Sequence, residues 1–208
     1  MADTPDLLID GPDDAPATLV LAHGAGAPMD SPFMTAMAER LSRRGHRVVR
    51  FEFPYMAGRR TDGRKRPPDR QPVLLATWRA VVAALGGPER LVIGGKSMGG
   101  RMASLLAAED GARGLVCLGY PFHPPGKPER PRVEHLGALA VPALIVQGTR
   151  DPFGTVDDVA GYRLPPAISL AWIADGDHDL KPRKASGRSH DDALDEAATA
   201  VDEFITAL

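Results

Sequence analysis

The sequence predicts an α/β fold, a mostly parallel, twisted sheet of six or seven strands with helices on both faces. Three observations carry this reading. Short apolar runs alternate along the chain with stretches of helical periodicity. The runs hold few polar residues, as strands covered on both sides do. The 22 Gly and 20 Pro punctuate these segments and do not collect in one linker. With 208 residues and no internal repeat, residues 1–208 read as one domain.

The strand candidates, in order, are Thr18–Ala22 (TLVLA), Arg47–Phe51 (RVVRF), 90–94 (RLVIG), Gly114–Leu118 (GLVCL), 143–147 (ALIVQ) and Ile168–Ile173 (ISLAWI), with 7–9 as a short edge strand. Helices fill the intervals. Ser31 supplies an N-cap and Pro32 a first-turn proline, Phe33, Met37 and Leu41 repeat every fourth position, and Gly45 stops the helix. Leu74, Trp78, Val81 and Leu85 form a second apolar stripe ended by Gly86 and Gly87. A third helix spans 98–109 with Met102, Leu105 and Leu106 inward. The last begins at Ser189, where Asp192 three residues on resembles a capping box, and presents Leu194, Ala197, Val201, Phe204 and Leu208 on one face. Strands joined through helices imply right-handed crossovers, and on such a sheet chemistry gathers in the loops beyond the C-terminal strand ends.

The loop after strand 90–94 reads Gly95-Lys96-Ser97-Met98-Gly99, a G-x-S-x-G between an apolar strand and a helix. A sharp strand-to-helix turn lifts the serine Oγ out of the sheet, and side chains two positions either side would clash, which calls for glycine there. Ser97 also sits at a helix N-terminus, where free N–H groups favour developing negative charge. Strand Thr18–Ala22 runs into His23-Gly24-Ala25-Gly26, a small-residue loop able to offer a second backbone donor. The expected oxyanion donors are the N–H groups of Ala25, favoured over Gly24, and Met98. His23 is expected to hold the shape of this loop.

A serine hydroxyl needs an adjacent base, oriented in turn by a carboxylate. Architectures that carry this turn place Ser, acid and His in that chain order. Of the six histidines, only His178 and His190 follow both the serine and a plausible acid. His178 lies just past the last strand in Asp175-Gly176-Asp177-His178-Asp179 and is the expected base, whereas His190 follows the Ser189 cap as a surface residue. Asp151, in Gly148-Thr149-Arg150-Asp151-Pro152-Phe153-Gly154 after strand 143–147, is the expected acid. Asp175, Asp177 and Asp179 read as loop formers. Their alternate spacing suggests calcium, but Leu180 and Ser186 occupy the places where a calcium loop wants Gly and Glu. No metal and no cofactor is expected.

These motifs, GKSMGG, HGAG, GTRDPFG and DGDHDLK, resemble the α/β-hydrolase superfamily over essentially the whole chain, and within it the small capless hydrolases related to dienelactone hydrolase. The phrases FPY, RPPD and GYPFHPPGKPE resemble the hydrolase-like domain of a subunit of the non-specific-lethal acetyltransferase complex and of a testis-expressed homologue. The resemblance implies a Ser97–Asp151–His178 triad. Dienelactone hydrolases proper use a Cys nucleophile where this chain has Ser97, so dienelactone does not carry over as substrate.

Many members of the superfamily insert a helical cap after the strand corresponding to Gly114–Leu118. Residues 120–135 (YPFHPPGKPERPRVEH) have five prolines in 16 residues, too few and too stiff for such a domain, and are expected to wall an open site in part. Residues 53–72 carry Arg59, Arg60, Arg64, Lys65, Arg66 and Arg70 against Asp62 and Asp69. This basic segment reads as a solvated loop, or more sharply as a lure for an anionic acyl substrate, helped by Lys127, Arg130, Arg132 and Arg150. Lys96 is expected to pair or pack away from the chemistry, Cys117 to be a buried hydrophobe, and Met29 and Met56 to line the pocket or pack beside it.

A net charge of −2 gives no general attraction to nucleic acid or membrane, and the basic segment lacks interleaved aromatics. The single Cys117 excludes an intramolecular disulfide and a multi-cysteine zinc site. No apolar stretch approaches the ~20 residues of a bilayer span, and MADTPDLLID lacks a secretory signal pattern, so a cytoplasmic location is expected. The expected function is serine hydrolysis of a small-molecule ester or thioester. The alternatives are a catalytically weak interaction module on the same fold, or a small peptidase or amidase.

Overall fold

Every apolar run of the sequence becomes a strand. The computed structural model describes residues 4–208, and its strands are β1 (Leu7–Asp10), β2 (Thr18–Ala22), β3 (Arg47–Phe51), β4 (Leu91–Lys96), β5 (Gly114–Leu118), β6 (Ala143–Gly148) and β7 (Ile168–Ile173). They form one sheet in the order β1-β3-β2-β4-β5-β6-β7. All neighbours pair in parallel except β1, which runs antiparallel to β3 at the edge. The third run starts one residue later than its apolar pattern suggests, because Pro88–Arg90 forms a 3₁₀ turn, and it continues to Lys96.

The helices are α1 (Pro32–Ser42), α2 (Pro54–Asp62), α3 (Gln71–Ala84), α4 (Met98–Asp110), α5 (Val156–Ala160) and α6 (His190–Thr206). Alternate residues of each central strand serve opposite layers. Val20, Ile93, Leu115, Cys117 and Ile145 face α3 and α4 through Leu74, Trp78, Met102 and Leu106. Leu19, Leu21, Val92, Val116 and Val146 face α1 and α6 through Met34, Met37, Leu194 and Val201. Trp78 is fully buried, and its ring lies edge-on to Phe51 at 4.7 Å. Cys117 is buried as expected.

Two local readings change, and one short helix is added. Residues 54–62 form α2 and not an open loop. Pro54 starts the helix and Gly63, at φ 70°, ends it, but only Tyr55 and Met56 are buried, so it has no apolar stripe to read. Helix α5 is a single turn set by a Thr155–Asp158 capping box. Ser31 stands at the N-cap of α1, yet its side chain makes no capping hydrogen bond, and Pro32 alone marks that start. At α6 the capping box forms in full, with Ser189 Oγ accepting from Asp192 N–H at 3.0 Å and the Asp192 carboxylate accepting from Ser189 N–H at 2.9 Å.

No helical cap intervenes between β5 and β6 among the described residues; the segment holds only the 3₁₀ turn Glu134–Ala138. None of the described helices is long and apolar enough to cross a membrane. Because six strands run parallel, the loops after β2, β4, β6 and β7 open at one edge of the sheet.

Ser189→Ala removes half of the α6 capping box. It should lower unfolding stability by about 1 kcal/mol in urea denaturation, with the fold retained.

Candidate active site

β4 passes into α4 through Ser97, whose backbone sits at φ 52° and ψ −114°. L residues rarely adopt such a conformation; it costs about 1–3 kcal/mol and persists only where the surroundings impose it. The surroundings here are the backbone of β2. A Cβ on Gly95 or Gly99 would fall well inside contact distance of the Ala22 carbonyl oxygen. The two glycines let strand and helix close on β2, and the turn between them presents Ser97 at the sheet edge.

Two further strand ends bring the acid and the base. His178 lies in the loop after β7, with Nε2 2.9 Å from Ser97 Oγ and Nδ1 2.8 Å from Asp151 Oδ2. Asp151, after β6, is fully buried. Its Oδ1 accepts from Phe153 N–H at 2.8 Å, and its Oδ2 also accepts from Gln147 Nε2 at 2.9 Å. Gln147 is itself fully buried, and its Oε1 accepts from Tyr120 N–H at 2.7 Å. Gln147 escaped the reading of the sequence. Its signal was a lone polar residue ending an apolar strand, a position that must satisfy its amide.

The loop after β2 is braced from below. His23 is buried, its Nε2 accepts from Phe53 N–H at 3.1 Å, and its Nδ1 lies 2.7 Å from Gly24 O. Accepting at Nε2 requires the proton on Nδ1, so His23 is a neutral donor to Gly24, and burial lowers its pKa accordingly. Tyr55 Oη donates to Ala25 O at 2.9 Å. This second brace was also missed, because α2 was read as a loop. Ala25 and Ser97 line one cavity, and Met98 begins α4, so its N–H has no intrahelical acceptor.

The 178 loop is tied to the serine turn by Lys96. Its buried Nζ donates to His178 O at 2.7 Å, lies 3.2 Å from Asp179 Oδ1, and sits 5.3 Å from the Phe33 ring centroid. Burial lowers its pKa, and the Asp179 carboxylate acts against that shift. Lys96 therefore pairs away from the serine hydroxyl, as expected. Asp175 accepts from Arg183, and Asp177 Oδ1 accepts from the N–H groups of Asp179 and Lys181, so both shape the loop. His190 joins no chain to Ser97; its Nε2 lies 2.8 Å from Asp179 O.

The cavity at Ser97 has a volume of about 580 Å³. Phe33, Met34, Pro32 and Phe153 make it mostly apolar, with Lys181 and His190 also among its lining residues. The Phe153 ring lies 4.3 Å from that of His178. One expectation changes here and two open alternatives narrow. Residues 120–135 do not wall this cavity, because Tyr120, Phe122 and His123 are buried and the wall is Phe153 instead. Met29 and Met56 are core residues, and Met34 takes the lining position. Residues 59–70 do not line it either: Arg60 is held by Glu52 at 2.7 Å and Asp30 at 2.6 Å, and Arg66 pairs with Asp62.

Two outcomes follow from this geometry. Arg64→Gln with Lys65→Gln should change KM for neutral and anionic esters alike, which a paired ester series would measure. His23 has a lowered native pKa, so the unfolded chain binds more protons below the ordinary value of 6.5. Stability should then fall as pH drops from 7 through the His range, and urea midpoints against pH would register the decline.

The comparisons with known proteins agree with this architecture. The family model described as alpha/beta hydrolase domain matches residues 15–206. A dienelactone hydrolase from Anabaena variabilis superposes with a TM-score of 0.73 at 22% identity, over 97% of this chain and 90% of that one. An α/β serine hydrolase without a lid from Xanthomonas campestris gives 0.71 at 19% identity, over 97% and 88%. An alpha-beta serine hydrolase homologue from Coxiella burnetii gives 0.70 at 18% identity, over 95% and 89%. Their similarity to this chain is one of fold, and the family match spans nearly its whole length: the chain belongs to the alpha/beta hydrolase domain family.

Proposed function

We propose that the protein hydrolyses a carboxylic ester or thioester through an acyl-enzyme on Ser97. The observation that carries this reading is the unbroken run from buried Asp151 through His178 to Ser97, at 2.8 and 2.9 Å, ending in an open cavity. Ser97 Oγ attacks the carbonyl while His178 Nε2 takes its proton and then delivers it to the leaving group. Asp151 accepts from Nδ1–H, fixes the tautomer and stabilises the imidazolium. The N–H groups of Ala25 and Met98 receive the oxyanion. Water then enters by the same route, with His178 as base, and releases the acid.

The apolar cavity walls favour an uncharged acyl group of modest size. Cations at the rim are few, and Lys96 is already engaged by Asp179. An anionic substrate would have to meet Lys181, which is exposed. A peptidase would need an extended surface that selects a peptide, whereas this cavity is mostly apolar, with Ser31, Lys96, Asp179, Lys181 and His190 as its polar groups beyond Ser97 and His178.

Labelling with a fluorescent fluorophosphonate and mass-spectrometric mapping tests the proposal. The adduct should form on Ser97 and vanish in Ser97→Ala. A short-chain p-nitrophenyl ester panel should then show turnover, reduced by roughly 10³–10⁴ in Asp151→Asn. Folded protein that takes no label and turns over no ester would overturn the proposal and leave the fold as an interaction module. Lys96→Met, which unties the 178 loop, should lower kcat with little change in KM.

A further inference from the structure

Cations that the cavity at Ser97 does not use gather at a second one. Arg101, one turn into α4, and Arg132, on the loop before β6, line a separate cavity of about 400 Å³ together with Gln71, Glu134 and His135. Neither guanidinium donates a hydrogen bond or has a carboxylate partner among the described residues, and Arg101 Nε is buried with none. Each fork offers five N–H donors, so this is a concentration of unused donors at a partly buried place. Burial and then the Arg101 charge hold the Arg132 guanidinium below its ordinary value. The same two causes push His135 down to about 4, leaving it neutral.

Two like charges side by side in a half-buried cleft are costly without a counter-ion. The backbone nonetheless holds them there. Arg101 N–H donates to Ser97 O at 3.0 Å and Arg132 N–H to Phe122 O at 2.7 Å. Tyr120 Oη donates to Arg132 O at 2.9 Å. Ser104 Oγ, which donates to Arg101 O at 2.8 Å, also lies 2.8 Å from His135 Nε2. Outside the lining, exposed Arg130 and exposed Arg70 stand next in sequence to the lining residues Pro131 and Gln71. Glu134 is the single carboxylate among the lining residues, and it is exposed. The basic segment that reads in sequence as a lure for substrate thus ends at this cavity.

We propose that Arg101, Arg132 and the Gln71 amide form a binding site for a phosphate group, distinct from the cavity at Ser97. Planar guanidinium forks match the oxygens of phosphate pairwise, and a dianion offsets both charges where a single carboxylate would not. The phosphate can be free or carried on a small phosphomonoester; the recognising chemistry is the same.

Calorimetric titration at constant ionic strength tests this, with inorganic phosphate and glycerol 3-phosphate as the two probes. It is run on the full chain and on Ser97→Ala, which should bind equally, so the result stands apart from any hydrolytic activity. Saturable one-to-one binding is expected. Arg101→Met and Arg132→Met should each weaken it by about tenfold or more, while Arg163→Met, at an exposed position outside the cavity, leaves it unchanged. Tighter binding of the monoester assigns the site to phosphorylated metabolites, and equal binding assigns it to free phosphate; both support the proposal. Arg132 lies on a surface loop, so its variant decides the matter if Arg101→Met does not fold. Absence of saturable binding, or binding that both arginine variants retain in full, overturns it.

Discussion

Strand β4 and helix α4 lie against the carbonyl edge of β2 with no side chain between them at Gly95 and Gly99. Closing that gap forces Ser97 into a conformation it would not choose, and the strain is held by the sheet on one side and α4 on the other. The same approach sets the position of the His23–Gly26 loop, since Ala22 is both the residue the glycines touch and the last residue of β2. A substitution that pushed β4 away from β2 would move the serine and the loop facing it together.

The polar groups around this turn form a connected set, and each member is satisfied by the next. Gln147 closes on Tyr120 and Asp151, Asp151 on Phe153 and His178, and Lys96 on the carbonyl of His178. Buried groups of this kind stabilise only when fully paired, so the set acts as one unit. It ties together the loops after β4, β5, β6 and β7, which come from four separate parts of the chain. Lys96 has a particular place in it, because it stands immediately before the serine and ties that turn to the histidine loop through His178 O and Asp179.

The charges of the molecule are sorted by position. On the α1 and α6 side, the Arg40 cation bridges to the Asp191 and Asp195 anions, and His46 Nε2 lies 2.7 Å from Asp202 Oδ1. Around the α3 and α4 side the balance shifts. Arg79 finds Glu109 and Asp110, while Arg101 and Arg132 find no carboxylate among the described residues. The mostly apolar cavity at Ser97 and the cationic cavity near Arg101 are therefore different in kind, although Ser97 caps the helix α4 that carries Arg101.

The sequence alone was enough for the sheet, because strands buried on both faces must be apolar throughout and helices between them must carry a stripe. It also singled out Ser97, Asp151 and His178, since each follows a strand end in a loop shaped by glycine, proline or aspartate. Their approach to within hydrogen-bond distance was beyond it, for residues 81 and 27 positions apart meet only when parallel strands align. Tyr55 and the bond from Lys96 to His178 were invisible for the same reason, and Gln147, although its polar side chain stands out in an apolar strand, does not show its partners: each role appears only when the partner is known. Helix α2 hid because it buries only Tyr55 and Met56 and so leaves no periodic pattern. Local composition decides what a segment can be, whereas long-range pairing decides what its polar groups can do, and only the tertiary structure contains that pairing.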